Sequence, residues 1–119
     1  MRKLLLNCSN ISLDKNDKEK LTKELNLDII QELKFINSEL FKKLNSIEYN
    51  DNTEIENIFN EFLFYINNKA NNLKIMYVIL PDDKQLLYLA GKYRIDFISN
   101  VSFLFIKNKK FTSTPVLLF

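Results

Sequence analysis

Apolar and polar positions along this chain follow two periods that take turns from one end to the other. Leu4, Leu5 and Leu6 make a short continuous apolar run, the pattern of a buried strand over residues 3–8, and the chain then turns abruptly to Asn7, Cys8, Ser9 and Asn10. In the next stretch, LDKNDKEKLTKELN, Leu21 and Leu25 lie one helical turn apart, and Asp14, Asn16 or Asp17 can cap the helix they imply. The near-alternation of IIQELKFI over 29–36 predicts a second strand. Asn37 then opens NSELFKKL, a short helix with Phe41 and Leu44 on one side.

The strongest helical signal is TEIENIFNEFLFYINNKANN, residues 53–72. Thr53 and Glu56 have the T-x-x-E spacing of a capping box, and Ile55, Ile58, Phe59, Phe62, Leu63 and Ile66 form one apolar stripe. Phe64 and Tyr65 lie off that stripe, as edge-of-core residues or as part of a subunit interface. KIMYVILP, residues 74–81, is apolar without alternation, as in a central strand buried on both faces, and Pro81 ends it. Asp82 or Asp83 caps a following helix whose Leu86, Leu87 and Ala90 face inward and whose end Gly91 marks. Another strand is expected from about Ile95. VSFLFIKNKKF alternates into a turn at Asn108 and Lys109, and TSTPVLLF returns beside it.

Strand, helix, strand, helices, strand, helix, strands is the order of an α/β sandwich with a mainly parallel sheet and a C-terminal antiparallel hairpin. The length, 119 residues, suits a single domain over 1–119, and a hydrophobic fraction of 46% suits a packed core. The apolar run in MRKLLL is too short for a signal h-region, and no segment approaches the ~20 apolar residues of a membrane helix. One cysteine leaves no internal disulfide framework and fits the cytoplasm.

The residue types that are missing narrow the chemistry. Without histidine, His-based acid–base catalysis and Ser-His-Asp triads cannot be built within one chain, and with a single cysteine a conventional zinc site is not expected. One glycine, Gly91, rules out a Walker loop and a GxGxxG loop. No metal or cofactor is expected. Net charge is +2 but uneven: residues 84–119 set six cations (Lys84, Lys92, Arg94, Lys107, Lys109, Lys110) against Asp96, leaving −3 on the remainder. Such a basic third meets phosphates, or solvates the outside of a hairpin.

In an open parallel sheet, ligands bind beyond the carboxyl ends of the strands, where strand order reverses. Two strand ends carry polar clusters, Asn7–Asn10 and Asp82–Gln85. A 3-2-1-4 strand order is expected, and if the two strands are neighbours, both clusters flank one crevice. Asn side chains donate and accept, which suits base edges and ribose hydroxyls. Asp82 and Asp83 serve as caps or hold ribose hydroxyls, while Lys84, Lys92 and Arg94 are the candidates for phosphate.

LLLNCSNISLDKNDKEKL, followed by ELNLDIIQELKFINSELFKKLNSI, resembles the small accessory proteins of type III CRISPR systems, which have a Rossmann-like, CARF-type fold and include ring nucleases. The resemblance spans most of the chain in element order. It reaches individual residues at Leu4–Asn10, and more loosely around Leu80–Lys84 and Ala90–Arg94. It implies a homodimer that binds cyclic oligoadenylate, with cyclic tetra-adenylate the first ring to expect, across a two-fold axis. It also implies metal-independent cleavage, in which a ribose 2′-hydroxyl attacks the adjacent phosphate in line. Asn7, Ser9, Asn10, Asp82, Asp83, Lys84, Lys92 and Arg94 would then hold the ring. Ser9, Lys84 and Arg94 would align the hydroxyl and steady the transition state, which fits a chain without histidine. Asn10 stands where relatives often carry a histidine, and an amide cannot shuttle protons, so capture of the messenger without cleavage is the alternative. A non-enzymatic module that buries its Phe-rich surfaces against a protein partner is a further one. Long RNA or DNA is not expected, because no stacking platform accompanies the basic residues.

Overall fold

The computed structural model describes residues 1–46, 52–97, 100–107 and 110–113, with the backbone alone for 52, 93–97, 105–107 and 110–113. Its elements are β1 (Arg2–Asn7), α1 (Lys15–Leu25), β2 (Ile29–Glu32), α2 (Leu33–Ile36), α3 (Ser38–Asn45), α4 (Asn52–Ala70), β3 (Leu73–Ile79), α5 (Lys84–Phe97), β4 (Val101–Lys107) and β5 (Lys110–Ser113). The protein is α/β and compatible with a Rossmann-like fold. Four parallel strands run in the order β2-β1-β3-β4, with β1 bonded to β2 on one side and to β3 on the other.

Alternation along the strands divides the core into two layers. Leu4 and Leu6 of β1, Met76 and Val78 of β3, and Val101 and Phe103 of β4 face α3, α4 and α5. Phe59, Phe62 and Ile66 of α4, all fully buried, fill that layer, with the Phe59 and Phe62 ring centroids 5.8 Å apart. The apolar stripe expected on this helix is the one that is buried. Leu5, Ile79 and Leu104 face the other way, against Leu21 of α1 and the flanking Leu13 and Leu27.

Helix caps follow the short polar residues. Asp14 accepts from Asp17 N–H at 2.7 Å to start α1, and Asn37 accepts from Leu40 N–H at 3.0 Å to start α3. α4 already includes Asn52, which places Thr53 inside the helix rather than at its cap.

Three expectations are corrected. The strand expected over 29–36 ends at Glu32, and 33–36 form one helical turn that sinks Leu33 into the core and leaves Phe35 80% exposed under Lys34, whose Nζ is 5.1 Å from the ring centroid. Burying Leu33 while the chain turns towards α3 decides against continuing the alternation. α5 runs through Gly91 to Phe97, so neither a helix end at Gly91 nor a strand from Ile95 is found, and β4 starts at Val101. The packed side chains Leu86, Leu89 and Ala90 hold the helix in place ahead of a glycine that costs it about 0.5–1 kcal/mol. The strand order is 2-1-3-4 rather than 3-2-1-4, which would have put β2 between β1 and β3; here β1 and β3 are direct neighbours.

β5 lies antiparallel beside β4, with Leu104 opposite Ser113. The turn expected at Asn108 and Lys109, and the return from Thr114 onwards, lie outside the described residues. Among the described residues, no helix is long and apolar enough to cross a membrane.

Candidate functional site

Because β1 leads to β2 on one side and β3 on the other, the reversal of strand order lies between β1 and β3. In register Asn7 sits opposite Ile79, so the two chains leave the sheet side by side. Cys8 N–H extends the ladder by donating to the Ile79 carbonyl at 2.9 Å. Beyond this point the loop after β1 and the loop after β3 face each other across a crevice of about 230 Å³. Ser9 and Asn10 line one side, and Pro81, Asp82 and Asp83 line the other.

Asn7 lies under the crevice rather than in it. It is 3% exposed, and its Oδ1 accepts from Ser9 N–H at 3.0 Å and Ser9 Oγ at 2.7 Å. Its Nδ2 donates to the Ile11 carbonyl at 2.8 Å. Asn7 therefore shapes the turn, and its polar atoms are committed there. Ser9 lines the crevice, but its hydroxyl is held by Asn7 and also accepts from Ile11 N–H at 3.3 Å. Asn10 is exposed at the rim. Cys8 points the other way into the core at 0% exposure, and burial pushes its thiol pKa well above the ordinary value, which suppresses the reactive thiolate.

On the β3 side, Asp83 is the cap of α5. Its Oδ1 accepts from Gln85 N–H at 2.8 Å and from Leu86 N–H at 3.2 Å. Those donors are met by a carboxylate, so the start of α5 does not hold them out to an anion. Asp82 is exposed at the crevice.

Asn45 is the residue that pattern reading misses. It is the last residue of α3 and lines the crevice, while its Nδ2 donates to the carbonyls of Cys8 and Phe41, both at 2.9 Å. Its Oδ1 is buried and meets no donor among the described residues. No local signal marks Asn45, since only the packing of α3 beside the end of β1 brings it here.

The basic residues are placed elsewhere. Lys84 and Lys92 line a separate groove of about 390 Å³ between α4 and α5. Lys92 Nζ pairs with Glu56 at 3.6 Å. Arg94 belongs to α5, and its side chain lies outside the described residues. Ser9, Asn10, Asp82 and Asp83 are thus brought together, whereas Ser9 and Lys84 open onto different cavities. As built, the crevice offers amide, hydroxyl and carboxylate groups that exchange hydrogen bonds with hydroxyls and amines. Comparison with protein families, curated proteins and solved structures finds no match to this chain.

Proposed function

We propose that this chain binds a cyclic oligoadenylate in the crevice between the β1 and β3 loops, as a CARF-like domain with a C-terminal hairpin, two copies enclosing one ring. One observation carries the reading: polar loops from two neighbouring parallel strands flank a single crevice at the reversal of strand order. Its chemistry suits adenosine units, because Asn10 can both donate to and accept from a base edge and Asp82 can accept from ribose hydroxyls. At about 230 Å³ it is smaller than the ~300–1,000 Å³ of ordinary ligand pockets, which suits a half-site completed by a second copy. The resemblance to type III CRISPR accessory proteins supplies the ring, and the setting would be antiviral signalling in the cytoplasm.

The geometry favours capture over cleavage. In-line attack by a 2′-hydroxyl needs a group that aligns it and a cation near the phosphate. Ser9 is held by Asn7, and Lys84 faces the other groove. No lysine or arginine lines the crevice among the described residues, so the ring-nuclease reading would need a cation from elsewhere, such as a second copy.

Purified protein mixed with cyclic tri-, tetra- and hexa-adenylate in EDTA tests both readings. Capture predicts saturable binding at one ring per two chains, with the ring intact at protein excess. Linear fragments would replace capture with cleavage, and failure to bind any of the three rings would end the proposal.

A further inference from the structure

The groove between α4 and α5 shares no lining residue with the crevice, and its chemistry is different. Lys84, Tyr88 and Lys92 recur every fourth residue, so they stand on one face of α5 about 6 Å apart along its axis. Behind them, Ile55 of α4 and Leu89 of α5 form an apolar floor, at 2% and 4% exposure. Tyr88 is 52% exposed, unusual for a ring whose neighbours are core residues. Across the groove, Glu56 holds Lys92 at 3.6 Å. Lys84 makes no salt bridge among the described residues. The groove is therefore polarised: a cation at the end where α5 begins, an aromatic wall over an apolar floor in the middle, and an ion pair at the far end.

We propose that this groove is a second binding site, for a nucleoside monophosphate. The flat base lies against Tyr88 over Ile55 and Leu89, since every base has a π-face and stacking on a tyrosine is tolerant of sequence. The phosphate meets the Lys84 ammonium, which makes no salt bridge among the described residues. Gln85 both donates and accepts, and the Glu56 carboxylate accepts from hydroxyl or amino groups, so the polar edges of a nucleoside find partners that a fatty acid or simple aromatic acid would not use. The Glu56–Lys92 pair is roughly half exposed on both sides, a setting in which ion pairs rearrange at little cost. The volume of about 390 Å³ falls within the ~300–1,000 Å³ of small-molecule sites, so one chain suffices. This site stands apart from ring binding in the crevice, and either can fail without the other.

Titration of the isotopically labelled full chain with AMP, adenosine and inorganic phosphate, followed by NMR, tests it. AMP is expected to shift the amide signals of Ile55, Glu56 and Lys84–Lys92 and to leave Ser9–Ile11 in place. Adenosine should bind more weakly at the same signals. Lys84→Gln should weaken AMP about tenfold and leave adenosine unchanged, and Tyr88→Ala should weaken both, whereas Tyr88→Phe should retain both. Lys84 and Tyr88 are exposed, so the variants should keep the wild-type melting curve, which is measured alongside. The proposal is overturned if AMP shifts only the crevice signals, if phosphate alone binds as well as AMP, or if folded Lys84→Gln and Tyr88→Ala bind AMP like the wild type.

Discussion

The side-chain amide of Asn45, at the end of α3, donates to the carbonyl of Cys8 at 2.9 Å, and the two residues are 37 positions apart in the chain. Its second hydrogen reaches the Phe41 carbonyl at 2.9 Å. With a carbonyl in both directions the amide has one sensible orientation, because the reverse would set oxygen against oxygen. One side chain thus fastens a helix to the loop that forms half of the crevice. Asn45→Ala removes both bonds and is expected to cost about 1–3 kcal/mol. At roughly 4–8 °C per kcal/mol for a domain near this size, a melting curve by circular dichroism should show the loss clearly. An unchanged midpoint would mean that the loop after β1 holds its shape without α3.

Asn7 gives the opposite of a ligand-contact phenotype. All its polar atoms are engaged with Ser9 and Ile11, so Asn7→Ala should lower stability by about 1–3 kcal/mol. Asn7→Asp keeps the acceptor but turns the donor to Ile11 into an oxygen. A buried carboxylate is favoured in its protonated form, so its pKa in the folded state should rise. Stability is then present at low pH and lost as pH rises through that raised value. Urea unfolding at pH 5 and pH 8 should show Asn7→Asp losing more than the wild type at the higher pH. Normal stability with lost ring binding in Asn7→Ala would instead restore the direct-contact role.

These two residues mark what sequence pattern reveals here and where it stops. The α4 stripe and the buried strands β1 and β3 were legible because one period runs unbroken through each. The polar loops were legible as candidates, and their meeting depended only on β1 and β3 being neighbours. The turn at Leu33 was not legible, since four residues of near-alternation also fit one helical turn with a single buried leucine. The separation of Lys84 from Ser9 was not legible either: Lys84 follows Asp83 directly, but the first turn of α5 rotates it to the α4 side. Asn45 depends on tertiary packing alone.

Two phenylalanines on α4 should separate core from surface. Phe59 is fully buried against Phe62, and truncating such a ring costs about 3–5 kcal/mol, a large share of the ~5–15 kcal/mol of a whole domain. Phe59→Ala should therefore shift the urea midpoint far down or leave little folded protein. Phe64 is 69% exposed, and Phe64→Ala should stay within about 0.5 kcal/mol of the wild type. A marked loss for Phe64→Ala would show that the isolated chain buries this ring, as an interface between two copies would do, and sedimentation at several concentrations would identify it.

Cys8 gives a pH signature of the core. Burial raises its thiol pKa above the ordinary value of 9.0, so the folded state keeps the proton at pH values where the unfolded chain releases it. Stability from this group is complete below the unfolded pKa and declines as pH climbs towards the raised folded value. Between pH 7 and pH 9.5 the decline should be roughly 1 kcal/mol. The Tyr65 phenol is raised as well, first by burial and then by the neighbouring Cys8, but its loss begins near its own ordinary value of 10.0. Cys8→Ala removes the first loss whatever it does to stability at neutral pH. Urea unfolding of both proteins under reducing conditions should therefore show the wild type falling about 1 kcal/mol further than Cys8→Ala over this range. Equal losses would mean that the thiol ionises as easily in the folded chain as in the unfolded one, and that water reaches the inner wall of the loop after β1.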